Sequence, residues 1–153
     1  MRGILICHGN VKLHHGDMRL ALAELSCGMA LIKSHRELKA YQKSFELAMV
    51  IFRETKSFPK DEVFSLTDQI RRSSRSVSAN ITEAWRKRRY EKSFIAKLSD
   101  ADGEAGETQT WLEYGYQCGY LSKETYQKLL NEYESLIGML VRMINTSSKW
   151  TLP

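Results

Sequence analysis

Proline, cysteine and long apolar runs are scarce in this chain of 153 residues, and each scarcity excludes something. Of its two prolines one is Pro59 and the other the terminal Pro153, so the stretches on either side of Pro59 hold nothing that forbids a helix. The three cysteines, Cys7, Cys27 and Cys118, are odd in number and far apart. Reduced thiols in a cytoplasm suit that pattern better than a disulfide framework. No run approaches the roughly 18 apolar residues that a membrane-spanning helix requires. A glycine-rich phosphate loop, a Gly-x-Ser-x-Gly elbow and a Cys-x-x-Cys pair are all missing. So is any Glu-x-x-His, and His8, His14, His15 and His35 all lie before or at the first helical turn. A di-metal site inside a helical bundle therefore has no ligand set. Cys7, His8, His14 and His15 match no standard zinc spacing. No metal, no cofactor and no catalytic residue is expected.

What is present is the composition of one globular domain: 42% hydrophobic, 27% charged, with many Leu, Glu, Lys, Arg, Gln and Ala. The net charge of +5 permits contact with RNA, DNA or an acidic partner without establishing it. Residues 1–33 differ from the rest. They open on Ile4-Leu5-Ile6-Cys7 but have no signal-type cleavage site, and they read as a leader, with Met29 a candidate natural start. Residues 34–147 carry the domain and residues 148–153 a short tail.

Four amphipathic helices of roughly 22 to 28 residues follow from the periodicity. Ser34-His35-Arg36-Glu37 has the form of a capping box. Behind it Leu38, Tyr41, Phe45, Ala48 and Phe52 repeat at three and four, a seam for the first helix, which should stop near Ser57 ahead of Pro59. Pro59-Lys60-Asp61-Glu62 then makes a turn and an acidic start to the second helix, entered through Phe64 and Leu66. Ile70, Val77, Ile81 and Ala84 form its seam, with Ser73 and Ser74 allowing close approach. The third helix has Phe94, Leu98, Ala101, Ala105, Thr108 and Leu112 inward, and Gly103 and Gly106 are expected at a close contact. Gly119 is placed to end it. Ser122 caps the fourth, with Tyr126, Leu129, Tyr133, Leu136, Leu140 and Met143 inward. Short links force antiparallel neighbours, so the expected fold is all-α, an antiparallel up-down-up-down four-helix bundle.

Two charged features remain. Arg71, Arg72 and Arg75 on the second helix face the prospect of Asp100, Glu104 and Glu107, three carboxylates on one side of the third. Salt bridging or an oligomer interface is expected of them rather than catalysis. Arg86, Lys87, Arg88 and Arg89 form a run that reads either as a solvated helix end or as a nucleic-acid surface, and Trp85 beside it either packs or stacks on a base.

Phe58-Pro59-Lys60-Asp61-Glu62 followed by the segment from Leu66 to Ile81 closely resembles the hallmark of a bacterial family, the four-helix-bundle proteins encoded by intervening sequences of 23S ribosomal RNA genes. Glu83 to Tyr90, Glu107 to Leu112 and Cys118 to Leu121 resemble one branch of it; Thr82 stands where alanine is common. The likeness covers about Ser34 to Asn145. It implies a cytoplasmic, non-enzymatic bundle that assembles into a ring-like homopentamer, with relatives among accessory proteins of diversity-generating retroelements. Those relatives imply RNA or DNA binding through a basic surface, with Arg86–Arg89 as the candidate site, or alternatively a scaffold that docks a polymerase or reverse transcriptase without touching nucleic acid.

Overall fold

The computed structural model describes residues 32–152; the leader with Cys7, Cys27, His8, His14, His15 and Met29 lies outside them. Among the described residues the regular structure is helical throughout: α1 (Lys39–Glu54), α2 (Leu66–Lys87), α3 (Glu91–Gln117) and α4 (Lys123–Asn145), with short 3₁₀ turns between and beside them.

The serine signal before α1 is used, one step differently from a capping box. Ser34 accepts from the Arg36 amide at 3.2 Å, but Glu37 reaches the amide of Lys33 rather than that of Ser34. The result is a 3₁₀ turn over His35–Glu37, and α1 proper spans only 16 residues, shorter than expected. Its buried face is also rotated from the expected seam. Ala40, Ser44, Leu47, Ala48 and Ile51 are inside, while Phe45 is 52% exposed and Tyr41 and Phe52 are half-buried. The physical reason is space: Ala40, Ser44 and Ala48, spaced by four, let neighbouring backbone come close, and a ring on that line would hold it away.

Phe58 is extended ahead of Pro59, as the steric rule for that position demands. The turn at Lys60–Glu62 does not run straight into α2, which begins four residues later. Glu62 bridges the gap by accepting from the Ser65 hydroxyl and the Leu66 amide, capping α2 from outside. Phe64, expected to lead into the core, is 94% exposed.

The seams of α3 and α4 lie inward as expected, with Tyr126 alone half-buried. Gly103 and Gly106 do not mark a close contact, since a Cβ at either would meet nothing within 4 Å. Gly115 does: a Cβ there would lie 3.1 Å from Leu121 and 3.4 Å from Phe58. Gly119, at φ +76, turns the chain out of α3, and Ser122 caps α4 by accepting from Thr125 at 3.1 Å.

Between α2 and α3 the bonds pair residues in opposite chain directions, and so do Glu91 with Ser147 and Gln109 with Glu134 between α3 and the α4 end of the chain. Ser73 with Thr108 and Asn80 with Lys97 join α2 to α3, and Gln109 with Glu134 joins α3 to α4. Lys43 with Glu132 closes α1 onto α4. Inside, the Thr108 hydroxyl lies 2.8 Å from the Glu104 carbonyl and 2.9 Å from the Ser73 hydroxyl. With one proton each, Thr108 donates to the carbonyl and accepts from Ser73. Tyr133 faces the same layer with its hydroxyl buried and outside hydrogen-bond geometry, and burial, opposed by the neighbouring Thr108 hydroxyl, pushes it above the usual tyrosine range.

This layer sorts two substitutions. Thr108→Val leaves the buried Ser73 hydroxyl with only its long 3.4 Å bond to the Ile70 carbonyl and should cost about 1 kcal/mol, whereas Tyr133→Phe should be neutral or stabilise by up to about 1 kcal/mol. Urea unfolding of the two variants gives the order; a larger loss for Tyr133→Phe contradicts the assignment.

Candidate nucleic-acid interface

The basic run does not lie along one helix face. α2 ends at Lys87 and α3 starts at Glu91, so Arg86–Arg89 wrap the corner between them. Arg86 and Arg89 are exposed and have no carboxylate within 4.0 Å among the described residues. Lys87 lies 3.6 Å from Glu83, an exposed pair of small energetic weight. Arg88 is different: its guanidinium sits 3.9 Å above the Trp85 ring and donates to the Trp85 carbonyl at 2.8 Å. Trp85 is only 6% exposed. It therefore packs rather than offering a face to a base, and Arg88 shapes the corner more than it projects charge.

The C-terminal tail completes this corner. Leu152 donates its amide to the Arg88 carbonyl at 3.1 Å, and the Ser147 hydroxyl donates to Glu91 at 2.7 Å. Antiparallel packing brings the start of α1 and the end of α4 to the same end of the bundle. Lys33, Arg36, Lys39, Lys92, Arg142 and Lys149, all exposed, thereby join Arg86, Lys87 and Arg89. The carboxylates there are Glu37, Glu83 and Glu91, and Glu37 and Glu91 already accept from Lys33 and Ser147. The added cations are spread over more than a hundred residues of the chain, from Lys33 to Lys149, so no window of sequence shows them together. Only the up-down topology collects them. The opposite end is closer to balance, with Asp61, Glu62, Asp68, Glu113 and Glu124 set among Arg53, Lys56, Lys60, Lys123 and Lys128.

Arg71, Arg72 and Arg75 do not bridge to Asp100, Glu104 or Glu107 within the chain. Arg71 and Arg75 turn towards α1, with guanidinium groups 5.1 and 5.8 Å from the Phe52 ring, and Arg71 Nε donates to Thr55 at 2.7 Å. Phe52 gains a cationic lid instead of a place in the core. Arg72 reaches only Asp68, at 3.9 Å. The carboxylates find other company: Asp100 lies 3.1 Å from Lys97, itself 3.2 Å from Glu83, and Glu107 accepts from the Trp111 indole at 2.9 Å. Together they line an open cleft of about 590 Å³ with Asn80, Ser99 and Gly103. Glu104, on its wall, has a carboxyl raised above the usual range by desolvation first and then by Glu107, with Arg72 opposing.

That shift fixes a pH dependence. A raised carboxyl binds its proton more tightly in the folded chain than in the unfolded one, so stability falls as pH rises from the unfolded value through the folded one. Glu104→Gln should therefore raise the thermal midpoint at neutral pH, and the advantage should fade towards pH ~4. A variant less stable than the parent at neutral pH contradicts this.

The comparisons agree with this architecture. A family model described as 23S rRNA-intervening sequence protein matches residues 36–142. Among solved structures, the chain is similar to a protein of unknown function from the S23 ribosomal protein family of Bacteroides thetaiotaomicron. The two are 33% identical with a TM-score of 0.64, over 70% of this chain and 96% of that one. No curated protein matches. With a matched family model across most of the bundle and a relative of the same family sharing its fold, the chain belongs to the 23S rRNA-intervening sequence protein family.

Proposed function

We propose that this protein is a non-enzymatic, self-associating cytoplasmic bundle that binds RNA or other nucleic acid through its basic end. One observation carries the reading: nine exposed lysines and arginines gather at that end against three carboxylates. Such a surface attracts a phosphate backbone and releases condensed counterions, a drive that needs no base-specific group. Arg86 and Arg89, free of carboxylates, make the leading contacts; Lys87 adds charge, and Arg88 holds the corner on Trp85. Self-association into the ring that the family resemblance implies is supported by α1, where Phe45 and Met49 are exposed and Tyr41 stacks on Phe45 at 6.2 Å. A cyclic ring joins two different faces of each copy. Docking of a protein partner without nucleic acid is the second reading, favoured by Phe64 and Tyr114 exposed at the other end.

In filter-binding titrations at low salt the protein should retain RNA or DNA, and joint reversal of Arg86 and Arg89 to Glu should weaken retention more than about 10-fold. No retention by the parent overturns the nucleic-acid reading, and unchanged retention by the variant displaces the site. For assembly, the solution mass should exceed the 17.7 kDa of one chain several-fold, and Phe45→Glu should lower it. A monomeric parent contradicts the assembly.

A further inference from the structure

At the end of the bundle opposite the basic corner a pocket of about 460 Å³ opens between the segment leading into α2 and the last turns of α3. Phe64, Leu66, Trp111 and Tyr114 line it together with Glu62 and Gln69. Trp111 and Tyr114 lie 5.8 Å apart and tilted, and Tyr114 is 55% exposed. A phenylalanine exposed as fully as Phe64 gains nothing for the single folded chain, because its ring contacts almost only water. It becomes useful when something covers it.

The charge around these rings narrows what that is. No lysine or arginine lines the pocket, in a chain whose net charge is +5. Glu62 keeps its charge, since the Ser65 hydroxyl, the Leu66 amide and the Tyr120 hydroxyl all bond to it and hold its carboxyl below the usual range. Glu107 accepts from the Trp111 indole and fixes that ring, but lies in the neighbouring cleft and not in this pocket. Aromatic faces beside a charged carboxylate suit a flat, weakly hydrated cation, which stacks on the rings while its N–H groups meet the oxygens of Glu62. Phosphate meets no cation there and is repelled by Glu62, so nucleic acid is a poor occupant. The exposed apolar surface also continues past the pocket to Val63, more than a free small cation would cover.

We propose that this pocket docks an arginine-bearing segment of a partner protein, seating the guanidinium between Phe64, Trp111 and Tyr114 and pairing it with Glu62. α2 separates this pocket from the basic corner by about 30 Å at 1.5 Å per residue, so the two surfaces can be occupied together and fail independently.

The test titrates the full chain with an oligo-arginine peptide and with its oligo-citrulline counterpart, which keeps the shape and loses the charge. The Trp111 indole N–H resonance, assigned with Trp111→Phe, is the readout. The arginine peptide should shift it saturably, and the citrulline peptide should bind at least about 10-fold more weakly. Phe64→Ala, which removes an exposed ring and leaves the thermal midpoint in place, should weaken the arginine peptide by several-fold. An unmoved Trp111 signal, equal affinity for the two peptides, or full affinity in Phe64→Ala overturns the proposal. So does a pocket that proves to be covered by a second copy, seen as a solution mass lowered by Phe64→Ala without any peptide binding.

Discussion

Ser73 and Thr108 meet hydroxyl to hydroxyl at 2.9 Å, both buried, between the two longest-shared surfaces of the bundle. Around them the facing residues are small: Ser74, Val77 and Ala84 on α2, and Ala101 and Ala105 on α3. Small residues bring the helices close, and closeness makes register strict, because a slip would trade a paired hydroxyl for an orphan in a dry interior. Apolar packing alone would tolerate several neighbouring registers. The paired hydroxyls select one. Helix propensity is sacrificed for this, since serine is a poor helix interior residue and four of them fall within six positions of α2.

Register then decides electrostatics. Once α2 and α3 are locked antiparallel and α1 and α4 close round them, the ends of the bundle acquire different character. Lysines and arginines from the start of α1, the α2–α3 corner and the end of α4 share one end, and the other mixes carboxylates with cations such as Lys56, Lys60 and Lys123. The tail bond from Leu152 to Arg88 and the stacking of Arg88 on Trp85 brace the basic corner from beneath. Arg86 and Arg89 thus stand on a rigid support. A phosphate-binding surface gains from that, because long side chains on a fixed base give up less freedom on contact.

Much of this was legible in the chain itself. The α3 and α4 seams each have a single apolar line, so periodicity identified them residue by residue, and Gly119 and Ser122 marked the boundary between them. α1 was misread because it has two lines at helical spacing, one aromatic and one of small residues. Leu38 and Ala48 lie inward as the expected seam has them, but close packing puts Ala40 and Ser44 inside where size favours Tyr41, Phe45 and Phe52. Arg71 and Arg75 were assigned to the acidic helix on charge alone, but geometry turns them to Phe52 and Thr55. The charge of Arg86–Arg89 was plain in sequence. The division of that run into free Arg86 and Arg89 and anchored Arg88 was not, since it depends on a tail that returns from the far end of the chain.

The most direct measurement of the central claim is a map of amide chemical-shift changes when a short RNA is added at low salt. The account predicts changes concentrated at residues 33–39, 86–92 and 142–149, with Trp111 and Tyr114 unmoved. Changes centred on Arg71 and Arg75, or spread evenly over the surface, would contradict it.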